Sequence, residues 1–229
     1  VTTQSAEAPR AQALPTYFVL DVSGSMRPYE KLLNQTLAQI INTLYTSPRI
    51  SEFVHLSIFT FANRPRLVLK MTEITKLAQM PVVECRGSTY FTPLFEALRD
   101  RIEFDLAQLV SDGIRPLRPL IFLLTDGAPA DQPPDRWIEA FDALTSRAWR
   151  PHPHVITYGF GEAPERLVKR MATVQAFIAE PGMVTDAQAI TAALDNMLNS
   201  LVATAKARTL QVPDQVAGFR TLSSDLYES

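Results

Sequence analysis

The 229-residue sequence holds one cysteine, Cys85, and three histidines. A lone cysteine cannot close an internal disulfide, which excludes a disulfide-stapled secreted scaffold and fits a reducing cytosol. No stretch reaches the ~18 consecutive apolar residues of a membrane-spanning helix. Lys and Arg are scattered rather than run together, and the formal net charge is −2. The sequence therefore offers no concentrated basic face for nucleic acid or a membrane surface, and the expected partner is another protein. Internal repeats and low-complexity tracts are missing too. Gly159-Phe160-Gly161 does not complete a dinucleotide fingerprint, because Pro164 stands where the third glycine belongs. Cys85 has no histidine beside it in sequence and reads as a small core or loop residue rather than a nucleophile. His152 and His154, flanking Pro153, read as loop and strand-start residues.

What is present points to one domain. The apolar fraction of 46% is that of an ordinary globular protein, and the length suits a single large core. Residues 1–14 are polar and Ala-rich and read as a loose arm. They lack the basic head and apolar centre of a signal peptide, although a first residue other than Met leaves room for a trimmed upstream segment. Order is expected over residues 15–206, with a weakly periodic tail over 207–229.

Within that span, Tyr17-Phe18-Val19-Leu20 is a continuous apolar, β-forming run that stops at Asp21, as a strand buried on both faces would. Leu32, Leu33, Ile40, Ile41 and Leu44 then recur at helical spacing. Residues 54–61 and 66–71 are β-rich, and their short join permits only a hairpin. A second helical pattern begins near Thr92, and Leu120 to Leu124 forms the most apolar run, ending at Thr125-Asp126-Gly127. Trp137, Ile138, Phe141 and Leu144 mark a further helix, and Trp137 and Trp149 are expected to pack helix against sheet. Residues 155–159 and 175–179 read as strands, a short helix follows Pro164, and 187–205 forms a long terminal helix. This alternation predicts a doubly wound α/β fold: a mostly parallel six-stranded sheet with one antiparallel edge strand and helices on both faces.

The two most apolar strands both end in an aspartate followed by small residues. Ligands of open α/β sheets bind outside the carboxyl ends of strands, above all where strand order reverses, so Asp21 and Asp126 are placed to face one site. Ser23 and Ser25, at alternate positions on a turn that Gly24 permits, add hydroxyls beside Asp21.

Asp21, Ser23 and Ser25 resemble the Asp-x-Ser-x-Ser motif of von Willebrand factor A domains. In the same chain order, Gly87-Ser88-Thr89 resembles that family's Gly-Gly-Thr element and Thr125-Asp126-Gly127 its final Asp-Gly element. The resemblance spans roughly residues 15–205. It implies a Rossmann-like sheet and a metal-ion-dependent adhesion site formed by Asp21, Ser23, Ser25, Thr89 and Asp126. Serines and threonine would bind the ion directly, and the aspartates directly or through water. Ser88 departs from the usual second glycine. Thr92-Pro93-Leu94 also resembles a variant of the threonine element; Thr89 is preferred because Gly87 precedes it. The Leu20-to-Met26 wording is most similar to the bacterial TerY-like cytoplasmic branch linked to tellurite resistance and stress response. That branch implies a protein partner, such as a kinase or phosphatase of the same system.

Chemistry supports the same ion. Hydroxyl and carboxylate oxygens are hard ligands suited to Mg²⁺ or Mn²⁺, whereas Zn²⁺ favours Cys and His. Water must fill positions that these side chains leave open, and a partner's Asp or Glu could replace it. The enzyme rival is a haloacid dehalogenase-type phosphatase, with Asp21 as nucleophile and Asp126 and Asp131 as later acids. That chemistry needs a carboxylic acid two residues after the nucleophile, where this chain has Ser23. A third alternative is a scaffold whose site is vestigial.

Overall fold

The structure is a computed structural model describing residues 11–222. The strands are β1 (Gln12–Asp21), β2 (Val54–Phe61), β3 (Arg66–Glu73), β4 (Arg115–Pro116), β5 (Leu120–Thr125), β6 (His154–Gly159), β7 (Gln175–Ala179) and β8 (Phe219–Leu222). Helices α1 (Glu30–Tyr45), α2 (Pro48–Ser51), α3 (Thr92–Ser111), α4 (Arg136–Thr145), α5 (Glu165–Arg170) and α6 (Asp186–Ala207) alternate with them.

The strands run in the order β3-β2-β1-β5-β6-β7-β8, with the two-residue β4 pairing on β1. β2, β1, β5, β6 and β7 are parallel, while β3 and β8 are antiparallel to their neighbours. Strand order reverses at β1, whose chain neighbour β2 lies on one side and β5 on the other. The crevice expected of such a sheet therefore opens at the carboxyl ends of β1 and β5.

Period-two side chains divide the core between two layers. Phe18, Leu20, Phe122, Leu124, Ile156 and Phe177 face the side covered by α1 and α6. Tyr17, Val19, Ile121, Leu123 and Val155 face α3, α4 and α5. The hydroxyl of buried Tyr17 donates to Asp105 on α3 at 3.0 Å, and Arg101 pairs with the same carboxylate at 2.6 Å. Trp137 is buried against Phe91 and Phe95 at the start of α3, a helix-to-helix contact, and half-buried Trp149 lies in the turn after α4 with the Arg99 guanidinium 4.5 Å over its ring, so neither is shown packing a helix on the sheet as expected.

The architecture departs from expectation at both ends of the sheet. Eight strands replace six, and both outer strands of the main path are antiparallel. The addition at the far edge is β8, contributed by the stretch read as a tail; Phe177 pairs with Thr221 and Ala179 with Phe219. A four-residue, half-exposed edge strand has too few alternations to register in sequence, and its pairing comes from β7. At the other end, β1 opens at Gln12, inside the segment read as an arm, because Gln12 and Ala13 pair with β4 and Leu14 with Val54. Residues 1–10 of that arm, and 223–229 of the tail, lie outside the described residues.

Gly159, half of the incomplete fingerprint, has a packing explanation. A Cβ there would meet Val168 Cγ2 at 2.3 Å and Ile178 Cδ1 at 2.9 Å, so the glycine lets α5 sit directly on the end of β6. Gly159→Ala is expected to lower the unfolding free energy by about 1–3 kcal/mol through overpacking. Urea denaturation should show this as a reduced midpoint with unchanged slope.

Candidate metal centre

β1 and β5 are in register, Leu20 opposite Leu124, so the residues that end each strand emerge side by side. Asp21 is fully buried. One of its carboxylate oxygens accepts the Ser23 amide at 2.9 Å, and the other accepts the Thr125 hydroxyl at 2.7 Å. The Ser23 and Ser25 hydroxyls lie 2.9 Å apart, and Ser23 Oγ lies 3.4 Å from Asp126 Oδ1. Thr89 Oγ1 lies 3.5 Å from Asp21 Oδ2. The five side chains singled out in sequence thus converge on one spot at the carboxyl edge of the sheet.

Three separated loops meet there because backbone hydrogen bonds stitch them together. Gly24 N donates to Gly87 O at 2.8 Å and Arg86 N to Val22 O at 2.6 Å, joining the first loop to the second. Ala130 N donates to Thr89 O at 2.7 Å, joining the second to the third. Gly87 takes a φ of +94°, and its missing Cβ leaves room for the Asn63 side chain, whose Oδ1 accepts the Ser88 amide at 2.7 Å. Ser88 has no positive φ, so a second glycine is not required at that position.

Thr89 is the threonine beside Asp21; Thr92 instead opens α3, its hydroxyl buried and without a hydrogen-bond partner among the described residues. Gly127 adds a close approach, since a Cβ there would stand 3.2 Å from Thr89 Oγ1. Two residues at this edge play parts that the sequence did not assign them. Thr125, in sequence only the flank of the Asp-Gly element, donates its hydroxyl to Asp21. Asp131, considered there as a phosphatase acid, is buried and accepts the backbone amides of Phe91 at 2.9 Å and Thr92 at 2.8 Å. Its carboxylate caps the start of α3, which otherwise has no side-chain cap.

Burial dominates the electrostatics. It pushes Asp21 up to about 6; hydrogen bonds from Thr125 and Ser23 oppose the rise and the Asp126 charge adds to it. Asp126 is also raised, first by burial, with serine hydroxyls opposing. Two carboxylates drawn out of water beside three hydroxyls form a site that a hard cation would relieve. The donor set therefore fits such an ion, and the missing Cβ of Gly127 leaves the buried Thr89 hydroxyl uncrowded on that side. Among the described residues, no group of three or more His, Cys, Asp or Glu side chains is placed to hold a metal; the candidate site has two carboxylates and otherwise hydroxyls. Cys85 is buried and its thiol is pushed up to about 12, first by burial and then by Glu30, Asp21 and Asp126, so it stays protonated. His152 and His154 lie at the start of β6, away from these strand ends.

No family model and no curated protein matches the chain. Solved structures do. The chain is similar to von Willebrand factor type A from Catenulispora acidiphila, with TM-score 0.56 and 14% identity over 83% of this chain and 43% of that one. It is similar to proximal thread matrix protein 1 from the mussel byssus, solved with a zinc-occupied MIDAS motif, at TM-score 0.55 and 15% identity over 84% and 49%. It is also similar to the pilus adhesin SpaC from Lactobacillus rhamnosus GG, at TM-score 0.63 and 12% identity over 84% and 30%. The chain spans less than half the length of each. These likenesses show the fold alone: a Rossmann-like, mostly parallel α/β sheet shared with those structures.

The raised Asp21 fixes a sign. Its folded value of about 6 exceeds the ordinary 3.8, so its contribution to stability is intact below about pH 4 and is lost as pH rises through 6. Asn at this position can still accept the Ser23 amide, and its NH₂ group can donate to the Thr125 hydroxyl. Asp21→Asn is expected to stabilise chelator-treated protein at pH 7 by about 1–3 kcal/mol, with the difference vanishing near pH 4. Denaturant unfolding at the two pH values measures it.

Proposed function

We propose that this chain is a metal-dependent protein-binding module and not an enzyme. Asp21, Ser23, Ser25, Thr89 and Asp126 would hold Mg²⁺, or Mn²⁺ in its place. The observation that carries this reading is the convergence of these five oxygen-bearing side chains from three loops at the reversal point of the strand order. When bound, the ion would supply a hard, positively charged position that a partner's Asp or Glu can complete in place of water. The chain's own residues do the rest. Thr125 and the Ser23 amide fix the Asp21 carboxylate, and the exposed Ser25 and the loops over 26–29 and 128–134 give the rim that selects among partners.

The likeness in fold to an adhesin and to a structure with a zinc-occupied adhesion motif supports the reading. We further infer a cytoplasmic role of the TerY-like kind, in a tellurite-resistance or stress-response assembly with a kinase or phosphatase partner. Its support is the motif wording and the lone cysteine. Among the described residues, no helix is long and apolar enough to cross a membrane. The phosphatase alternative is disfavoured by two observations: Ser23 occupies the position of the required acid, and Asp131 is engaged by two α3 amides.

Calorimetry should show Mg²⁺ or Mn²⁺ binding that Asp21→Ala reduces at least tenfold, with the fold retained by circular dichroism, because the core is apolar and the site lies on loops. Pull-down from the native cell should recover a principal partner with Mg²⁺ and lose it with chelator. Unchanged metal affinity in Asp21→Ala would refute the assignment of the site. Metal-dependent turnover of a phosphate ester, lost in Asp21→Asn, would favour the phosphatase.

A further inference from the structure

A second surface lies on the layer of α4 and α5. Between these helices, over β6, runs a cleft of about 1100 Å³. Its walls include Pro129, Pro134 and Pro164 from the loops after β5 and β6, and at the other end Arg118 and His154, where those strands begin. The lining thus reaches from one edge of the sheet to the other between α4 and α5, with His154 its contribution from β6. Six strand residues span about 20 Å, the reach of an extended segment of about six residues and long for a compact small molecule.

Its lining is both basic and apolar. Five cations, Arg118, Arg147, Arg166, Lys169 and Arg170, face two acids, Asp135 and Asp142, in a chain whose net charge is −2. Asp142 already pairs with Arg170. Among the described residues, no acid pairs with Arg147 or Arg166. Arg118 spends its Nε on the His152 carbonyl at 2.6 Å, and the Arg147 charge adds to burial in holding its guanidinium below the usual value. Beside the cations the accessible apolar floor comes from half-buried Ile138, Val174 and Leu210, with Trp137, Phe141 and Leu167 buried next to them.

We propose that this cleft binds an acidic, extended peptide segment of a partner protein, with carboxylates meeting the arginines and interleaved aliphatic residues meeting the floor. Length selects a chain over a compact ligand, charge selects acids, and the apolar floor favours peptide side chains over a sugar-phosphate backbone. The proposal does not rest on the metal reading, since none of the five residues proposed as ligands lines the cleft.

Fluorescence anisotropy on the full chain tests it. The probe is a labelled peptide of about eight residues that interleaves Glu with Leu, with chelator present throughout. Saturable binding is expected, weakened about tenfold or more by the double variant Arg147→Glu with Arg166→Glu, and changed less than about twofold by Lys31→Glu on α1. Arg147 and Arg166 are exposed, so the double variant should fold, and a thermal melt checks that. Because the metal is removed, binding here is independent of failure at the ion site. Non-saturable anisotropy, equal binding by the double variant, or equal loss in Lys31→Glu would overturn the proposal. So would displacement of the peptide by a single-stranded oligonucleotide at a lower concentration than unlabelled peptide, which would make the cleft a nucleic-acid surface.

Discussion

The rest of this structure depends on a carboxylate buried where the strand order reverses. Asp21 has no exposure to water, and a carboxylate in that position is held only if its oxygens are engaged. The parallel register of β1 and β5 meets this requirement by placing Thr125 level with it, and the turn through Ser23 returns an amide to the other oxygen. Shifting that register by one residue would turn Tyr17 and Val19 into the opposite layer and withdraw Thr125 at the same time. The core and the site are therefore set by the same pairing. It also confines the buried charge to the strand ends, where it falls on Asp21 and Asp126, while the strands beneath are buried along their length.

Much of this was legible in sequence, and the reason is physical. A strand buried on both faces must be a continuous apolar run, so Asp21 and Asp126 stand out where such runs stop. The helices α1, α3 and α6 bury stripes wide enough to register as periodicity. What escaped is what local pattern does not encode. Thr125 looks like a turn residue until the register places it against Asp21. Asp131 looks like a spare acid until α3 turns its free amides toward it. The strand β8 has four residues and becomes a strand only because β7 presents an open edge. The basic cleft was invisible for the same reason. The sequence has no long run of Lys or Arg, yet the fold gathers Arg118, Arg147 and the α5 residues Arg166 and Arg170 from three segments onto one layer.

Glycine placement shows how the tertiary context selects among similar signals. Gly87 and Ser88 sit in the element where the resemblance leads one to expect two glycines, and only Gly87 carries a positive φ and the close approach of Asn63. The Asn63 side chain then accepts the Ser88 amide, anchoring the second loop to the β2–β3 turn. The departure at Ser88 thus falls at a position whose backbone any residue can adopt, and it leaves the approach of Thr89 to Asp21 intact.

The way the loops are tied has a consequence for recognition. Each of the three loops at the strand ends is bonded to another by main-chain hydrogen bonds, and Asp131 clamps the third loop to the helix that follows the second. Loops that wandered independently would have to be ordered at the moment of binding, and that entropy would be subtracted from the affinity. Here most of the ordering is done when the sheet folds, since the bonds fixing Ser23, Thr89 and Asp21 are made within the chain. A surface of this kind holds its donor atoms near one another before any ligand arrives. Its selectivity then has to come from the side chains around the rim, whose backbone the stitching bonds fix in part through the Ala130 amide and the Asp131 carboxylate.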